Sequence, residues 1–266
     1  MTGSLDNQLK NHEKKIIHYS GDVCPKCHNV GWILLDDGGQ GTAIECDCGI
    51  RKRMIHNDKL KFADVPEYFK DARLNNFKKS IYQSEESWEM VVEIAKAVRY
   101  WIQNIEQMKE RGIGLYFYSG TKGSGKTRLA ASIANELIDN YGVRVKFCTS
   151  VKILEEISST WKKSDVNESK LIDDLSTADV LVIDDFGVEN IKGWVNEKFY
   201  SIIDGRYTNK KMTIFTSNMR LDDLQYDDRI TSRIKERVLQ VPFPEESVRD
   251  FIGMKLKEEL IKGVQG

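Results

Sequence analysis

The octapeptide Gly120-Thr121-Lys122-Gly123-Ser124-Gly125-Lys126-Thr127 constrains this chain more than any other feature, because it fixes a loop shape and the elements on either side of it. Its glycines let successive backbone N–H groups curl toward one point. The helix that follows adds the positive end of its dipole, which together make an anion site. Such a loop belongs between a strand and a helix, and an apolar run at 115–118 precedes it while a helical pattern follows. The expected chemistry is nucleotide binding by Gly120, Thr121, Lys122, Gly123, Ser124, Gly125, Lys126 and Thr127. Lys126 would reach the β- and γ-phosphates of ATP, and Thr127 would ligate Mg²⁺.

Further apolar runs at 143–147, 180–183 and 213–216 alternate with helical patterns. That alternation predicts an α/β fold, a parallel sheet flanked by helices on both faces. Val180-Leu181-Val182-Ile183 is apolar throughout and suits a strand buried on both faces. Trp88, Val91, Val92, Ala95, Val98, Ile102, Ile105 and Met108 recur at helical spacing and predict one long amphipathic helix ending near Gly112. Residues 51–61 are basic and read as a helix that Val65-Pro66 breaks. We place the domain division there, with a small region over 1–60 and a larger one over 61–266. Residues 1–20 read as a short helix or a mobile arm.

Leu181-Val182-Ile183-Asp184-Asp185 ends a strand in two carboxylates. A helix cap is the bland use of such a pair, but after a P-loop the pair predicts catalysis. Asp184 is expected to hold Mg²⁺ and Asp185 to orient or deprotonate the attacking water. Thr213-Ile214-Phe215-Thr216-Ser217-Asn218 ends a strand in an amide, making Asn218 a candidate sensor of the γ-phosphate. Arg229 and Arg233 stand four residues apart on one helical face, where a guanidinium can serve an ion pair or a neighbour's phosphate.

Cys24 and Cys27 form C-x₂-C, and eighteen residues later Cys46 and Cys48 form C-x-C. Four thiolates across a hairpin with its turn at Asp36-Asp37-Gly38-Gly39 predict a closed, structural Zn²⁺ site, with His28 as an alternative ligand. Cys148, inside a strand pattern, reads as a small buried hydrophobe. Lys and Arg number 40 against 41 Asp and Glu, so no global basic field drives nucleic-acid binding, and any such contact must be local. No apolar run approaches the roughly 20 residues of a membrane span, and the first ten residues are polar. A cytoplasmic protein without membrane contact is expected.

Ala63-Asp64-Val65-Pro66, Asn75-Asn76-Phe77, the P-loop, Ile183-Asp184-Asp185-Phe186-Gly187 and Thr216-Ser217-Asn218 together resemble the bacterial DnaC/DnaI helicase loaders of the AAA+ class, over roughly residues 60–255. The cysteine-rich start is similar to the zinc-bearing regions of DnaI-like and phage loaders. The resemblance implies an AAA+ ATPase domain plus a small N-terminal zinc-binding domain that docks a replicative helicase hexamer. It also implies single-stranded DNA binding and self-association into a spiral or ring. By the same resemblance Arg229 and Arg233 reach an adjacent subunit's nucleotide, and Arg249 of Ser247-Val248-Arg249 touches the nucleotide of its own chain. Residues 151–163 run along DNA, with Trp161, Lys192 and Trp194 as contacts; stacking plus a lysine is a sequence-tolerant combination. Asp185 stands where the family more often has glutamate, which implies weak turnover, and few residues after Arg249 remain for a helical lid. A transposition helper ATPase of the IstB type and a non-hydrolysing nucleotide-switch adaptor are the alternatives, with a small-molecule kinase behind them.

Overall fold

The computed structural model describes residues 23–36, 41–160, 165–189, 191 and 193–265. The chain divides into two compact units, Met1–Lys59 and Leu60–Gly266.

In the smaller unit β1 (Trp32–Asp36) and β2 (Gly41–Glu45) form an antiparallel hairpin, followed by α1 (Ile50–Ala63), whose last four residues belong to the larger unit. Among its described residues the buried core consists of Cys24, Cys27, Cys46 and Cys48, with Ile33 and Ile50 against them. So little apolar area cannot by itself offset the entropy of ordering the chain.

In the larger unit three 3₁₀ turns (Glu67–Phe69, Leu74–Asn76 and Lys79–Ile81) precede α2 (Glu85–Gln103), capped by Ser84, and α3 (Ile105–Arg111), ended by the left-handed Gly112. One long helix was expected, and Asn104 divides it: the residue caps the end of α2 and the start of α3, its amide donating to the Tyr100 carbonyl at 2.8 Å. The apolar stripe also differs. Trp88 lies outside the core, whereas Ile94 and Trp101 are buried in it and the Trp101 indole donates to the Ile113 carbonyl.

Five parallel strands follow: β3 (Gly114–Tyr118), β4 (Val145–Thr149), β5 (Val180–Asp184), β6 (Met212–Ser217) and β7 (Val238–Pro242), in the spatial order β4-β5-β6-β3-β7. The second strand begins two residues later than the run at 143–147 suggests, because Gly142 ends the preceding helix in the left-handed region. The fifth strand, with two of its five residues exposed or nearly so, carries little apolar pattern to announce it. The helices are α4 (Lys126–Tyr141), α5 (Ser150–Thr160), α6 (Asp165–Thr177), α7 (Gly193–Thr208), α8 (Asp228–Arg237) and α9 (Val248–Gln265).

Alternation along the strands feeds two cores. Leu115, Phe117, Val145, Phe147, Val180, Val182 and Ile214 face one layer, while Tyr116, Cys148, Leu181, Ile183 and Phe215 face the other. The first holds the side chains of α2, α3 and α4, and the second those of α5, α7 and α8. Cys148 is buried, and burial pushes its thiol up to about 11. Gly114 permits the tight β3–β6 contact, since a Cβ there would lie 1.8 Å from the Thr213 carbonyl oxygen.

Candidate nucleotide site

The strand order reverses beside β3: β4, β5 and β6 return neighbour by neighbour, and β7 lies on the far side. Loops at the carboxyl ends of strands around such a reversal converge on one crevice. Here those loops carry the P-loop after β3, the acidic pair at the end of β5, and Asn218 after β6, between the other two.

Gly123 and Gly125 have φ of +80° and +101°, conformations that favour glycine. A Cβ at Gly125 would lie 2.7 Å from the Tyr82 hydroxyl oxygen, and that hydroxyl donates to the Ser124 carbonyl at 2.7 Å. Lys126 is 5% exposed, and its ammonium donates to the carbonyls of Ser119 (3.2 Å) and Thr121 (3.0 Å) and to the Ser124 hydroxyl (3.2 Å). Burial lowers its pKa, opposed by the charges of Asp185, Glu245 and Asp184.

Asp184 is buried and accepts a hydrogen bond from the Thr216 hydroxyl at 2.6 Å, and the Thr127 hydroxyl is near enough to act on its pKa, lowering it. Burial is the main cause that raises its pKa, with the Asp185 charge acting in the same direction. The structure thus brings together the two oxygens nominated for Mg²⁺. A hydroxyl and a carboxylate are hard donors that fit such an ion, and its chemistry when bound would be to neutralise charge developing on the phosphates. Asp185 is exposed at φ +53°, a strained conformation for a non-glycine residue. Its backbone is pinned: the N–H donates to the Thr216 hydroxyl oxygen (3.0 Å) and the carbonyl accepts from Ser150 (2.9 Å). The Ser150 hydroxyl also lies 2.8 Å from a Glu189 carboxylate oxygen. Arg249, at the start of α9, is close enough to Lys126 to depress its pKa, while the Gly123 carbonyl accepts from the Arg249 N–H at 3.3 Å.

The two nominated arginines part company. Arg229 has a side chain 66% exposed and pairs with Asp227 at 2.9 Å. Arg233 is 25% exposed and pairs with Asp204 of α7 at 2.9 Å. Both guanidiniums lie over the Tyr200 ring, 4.9 and 5.1 Å from its centroid, and Tyr207 continues the stack to Arg237 at 4.8 Å. Trp194 is half-buried in the first turn of α7, against the second core. Trp161 and Lys192 lie outside the described residues. Lys152 of α5 is tied to Asp64 at 2.6 Å.

In the smaller unit the sulfurs of Cys24 and Cys46 are 3.8 Å apart and those of Cys27 and Cys48 3.6 Å, and all four lie within 4.8 Å of one another. Zn–S bonds of about 2.3 Å place tetrahedral sulfurs about 3.8 Å apart, so the cluster fits zinc. The group of converging ligand atoms comprises the four cysteines and does not include His28.

The family model of IstB-like ATP binding proteins matches residues 115–256. The chain belongs to the IstB-like ATP binding protein family. Among curated relatives, the replicative helicase loader DnaC of Escherichia coli (strain K12) is 31% identical over 137 residues, 52% of this chain and 53% of DnaC. The phage-like element PBSX protein XkdC of Bacillus subtilis (strain 168) is 24% identical over 219 residues, 80% of this chain and 78% of XkdC. The crystal structure of the DnaC helicase loader superimposes with a TM-score of 0.56 at 24% identity, covering 67% of this chain and all of that one. This last likeness is one of fold. The chain spans about half the length of the DnaC loaders it matches. As an IstB-like protein it has the expected parallel sheet with flanking helices, and among its described residues no helix is long and apolar enough to cross a membrane.

Proposed function

We propose that this IstB-like protein is a cytoplasmic ATPase that binds a replicative helicase hexamer and single-stranded DNA and delivers the ring at the start of replication. The convergence of Lys126, Thr127, Asp184 and Asp185 at one crevice carries the ATPase part of this reading. Similarity to DnaC supports the helicase as partner.

Bound ATP and Mg²⁺ supply the scissile phosphoanhydride and the charge-neutralising ion. Lys126 and the P-loop amides hold the phosphates, Thr127 and Asp184 hold the ion, and Asp185 orients water. Asn218 senses the terminal phosphate and Arg249 contacts the nucleotide in its own chain. Arg229, exposed in the first turn of α8, reaches a neighbouring subunit's nucleotide in a spiral or ring, while Arg233 fixes α8 on α7 and so aims it. The Cys24-Cys27-Cys46-Cys48 cluster holds zinc and shapes the helicase-docking unit. Residues 151–163 with Trp161, and Lys192 with Trp194, track unpaired DNA.

The deciding measurement is co-purification with a replicative helicase hexamer, in ATP and in ADP, of the full chain and of a chain beginning at Lys61. Capture of the full chain alone supports a loader docking through residues 1–60. Failure of both removes the loader reading in favour of a transposition helper, to be sought with a transposase. Asp185→Asn tests hydrolysis itself: loss of function with nucleotide binding retained supports an ATPase, and full function points to a switch adaptor.

A further inference from the structure

The P-loop is gripped from outside by residues its motif does not specify. Glu245, between β7 and α9, accepts the backbone N–H of Gly120 at 2.8 Å on one carboxylate oxygen. On the other it accepts the N–H and the hydroxyl of Thr121, both at 2.7 Å. The same segment engages the loop on either side: the Ser119 hydroxyl donates to the Pro244 carbonyl at 3.1 Å, and the Val248 N–H to the Gly123 carbonyl at 3.0 Å. Packing there is close, since a Cβ at Gly123 would lie 2.9 Å from Arg249 Cβ. Glu246 turns the other way and accepts the Gln83 N–H at 2.6 Å, just ahead of α2.

Thr121 is therefore held at both ends of its backbone. Its N–H is bound by Glu245, and its carbonyl accepts from the Lys126 ammonium at 3.0 Å. A shift of Thr121 would move an anchor of the lysine that meets phosphate. Burial works against ionisation of Glu245, but the hydrogen bonds from Thr121 and Gly120 outweigh it and hold the carboxyl below its usual range. A loop with three glycines has many conformations to lose, so fixing it in advance removes part of the ordering cost of binding.

We propose that Glu245 is a positioning residue for nucleotide binding: a clasp that keeps the P-loop in its phosphate-receiving shape and fixes Arg249 relative to Lys126, without itself touching the nucleotide. The proposal rests on the nucleotide-site reading above but not on the helicase or DNA parts of it. The competing expectation is electrostatic: a carboxylate near Lys126 would repel phosphate, and its removal would tighten binding.

The test is the affinity of the full chain for Mg-ADP and Mg-ATP in the wild type and in Glu245→Ala, Glu245→Gln, Glu245→Asp and Glu246→Ala, at low and high salt. Glu245→Ala is expected to weaken both nucleotides on the order of tenfold, alike at both salt concentrations, from the loss of charge-assisted hydrogen bonds. Aspartate should restore part of the loss, and Glu246→Ala should weaken binding less. Amide hydrogen exchange at Gly120 and Thr121, followed without nucleotide, should accelerate in Glu245→Ala and in Glu245→Gln, the latter keeping the side-chain volume should alanine fail to fold. Affinity within twofold of wild type, or tighter, overturns the clasp while leaving the nucleotide site standing. A wild-type chain that binds neither nucleotide overturns both.

Discussion

Burial sets the behaviour of the Asp184 carboxylate before any ligand arrives. Its pKa is raised, chiefly by burial, so the folded chain holds that proton to higher pH than the unfolded chain does. The sign follows: Asp184 costs no stability while protonated in both states, and stability falls as pH rises from the ordinary carboxylate range through the raised value. Asp184→Asn should therefore raise the nucleotide-free melting midpoint near neutral pH by roughly 2–4 °C, the change about 1 kcal/mol makes in a domain of this size. The same variant should lower ATP hydrolysis by about a hundredfold or more. Melting curves between pH 4 and 8 check the first, and an unchanged midpoint would contradict it. At the P-loop, Gly125→Ala should abolish nucleotide binding, because φ +101° and a Cβ 2.7 Å from the Tyr82 hydroxyl leave an alanine no place; nucleotide titration decides. Both residues are singled out by motif spacing alone. Tyr82 and Glu245 are not, as their partners lie 42 and 125 residues away and nothing local marks them.

Among the elements, α8 shows how one face can divide its labour. Arg229 and Arg233 are equivalent by spacing, and both lie over the Tyr200 ring of α7, yet only Arg233 is also fastened to that helix by an ion pair with Asp204 and a hydrogen bond to the Tyr200 hydroxyl. Arg229→Ala should change folding stability by less than about 0.5 kcal/mol while lowering ATPase activity in the helicase-bound assembly. Arg233→Ala should cost about 1–2 kcal/mol and lower the activity too, by releasing α8 from α7. Denaturant titration of the two variants separates these outcomes, and equal losses of stability would refute the division. Helix α7 is fastened on its other side by Arg206, fully buried, whose guanidinium donates to the carbonyls of Leu175 (2.6 Å) and Ala178 (3.0 Å) and to the Thr213 hydroxyl (2.9 Å). The element pattern itself was readable from apolar periodicity. The break at Asn104 and the strand β7 were not, because a capping amide and a half-exposed edge strand carry little periodic signal.

At the scale of the molecule, the two units differ in what holds them. Among the described residues the larger has two apolar cores on either side of its sheet, whereas the smaller has a core of four cysteines. Chelation of zinc should accordingly unfold the smaller unit and leave the larger with its own melting transition, with about one zinc released per chain. Calorimetry with and without chelator, alongside thiol titration, checks this; a smaller unit still folded without metal would refute it. The sequence by itself determined the strand–loop–helix of the P-loop, the order of the acidic and polar strand ends, and the cysteine spacing, because each is set within a few residues by backbone geometry and side-chain chemistry. Only the tertiary structure decided that β6 lies between β3 and β5, that Arg233 is half-buried and ion-paired to α7 while Arg229 is exposed, and that Glu245 grips the P-loop. Those are long-range pairings, and they follow from which faces can bury their apolar surface together while satisfying every backbone donor, a condition on the whole fold.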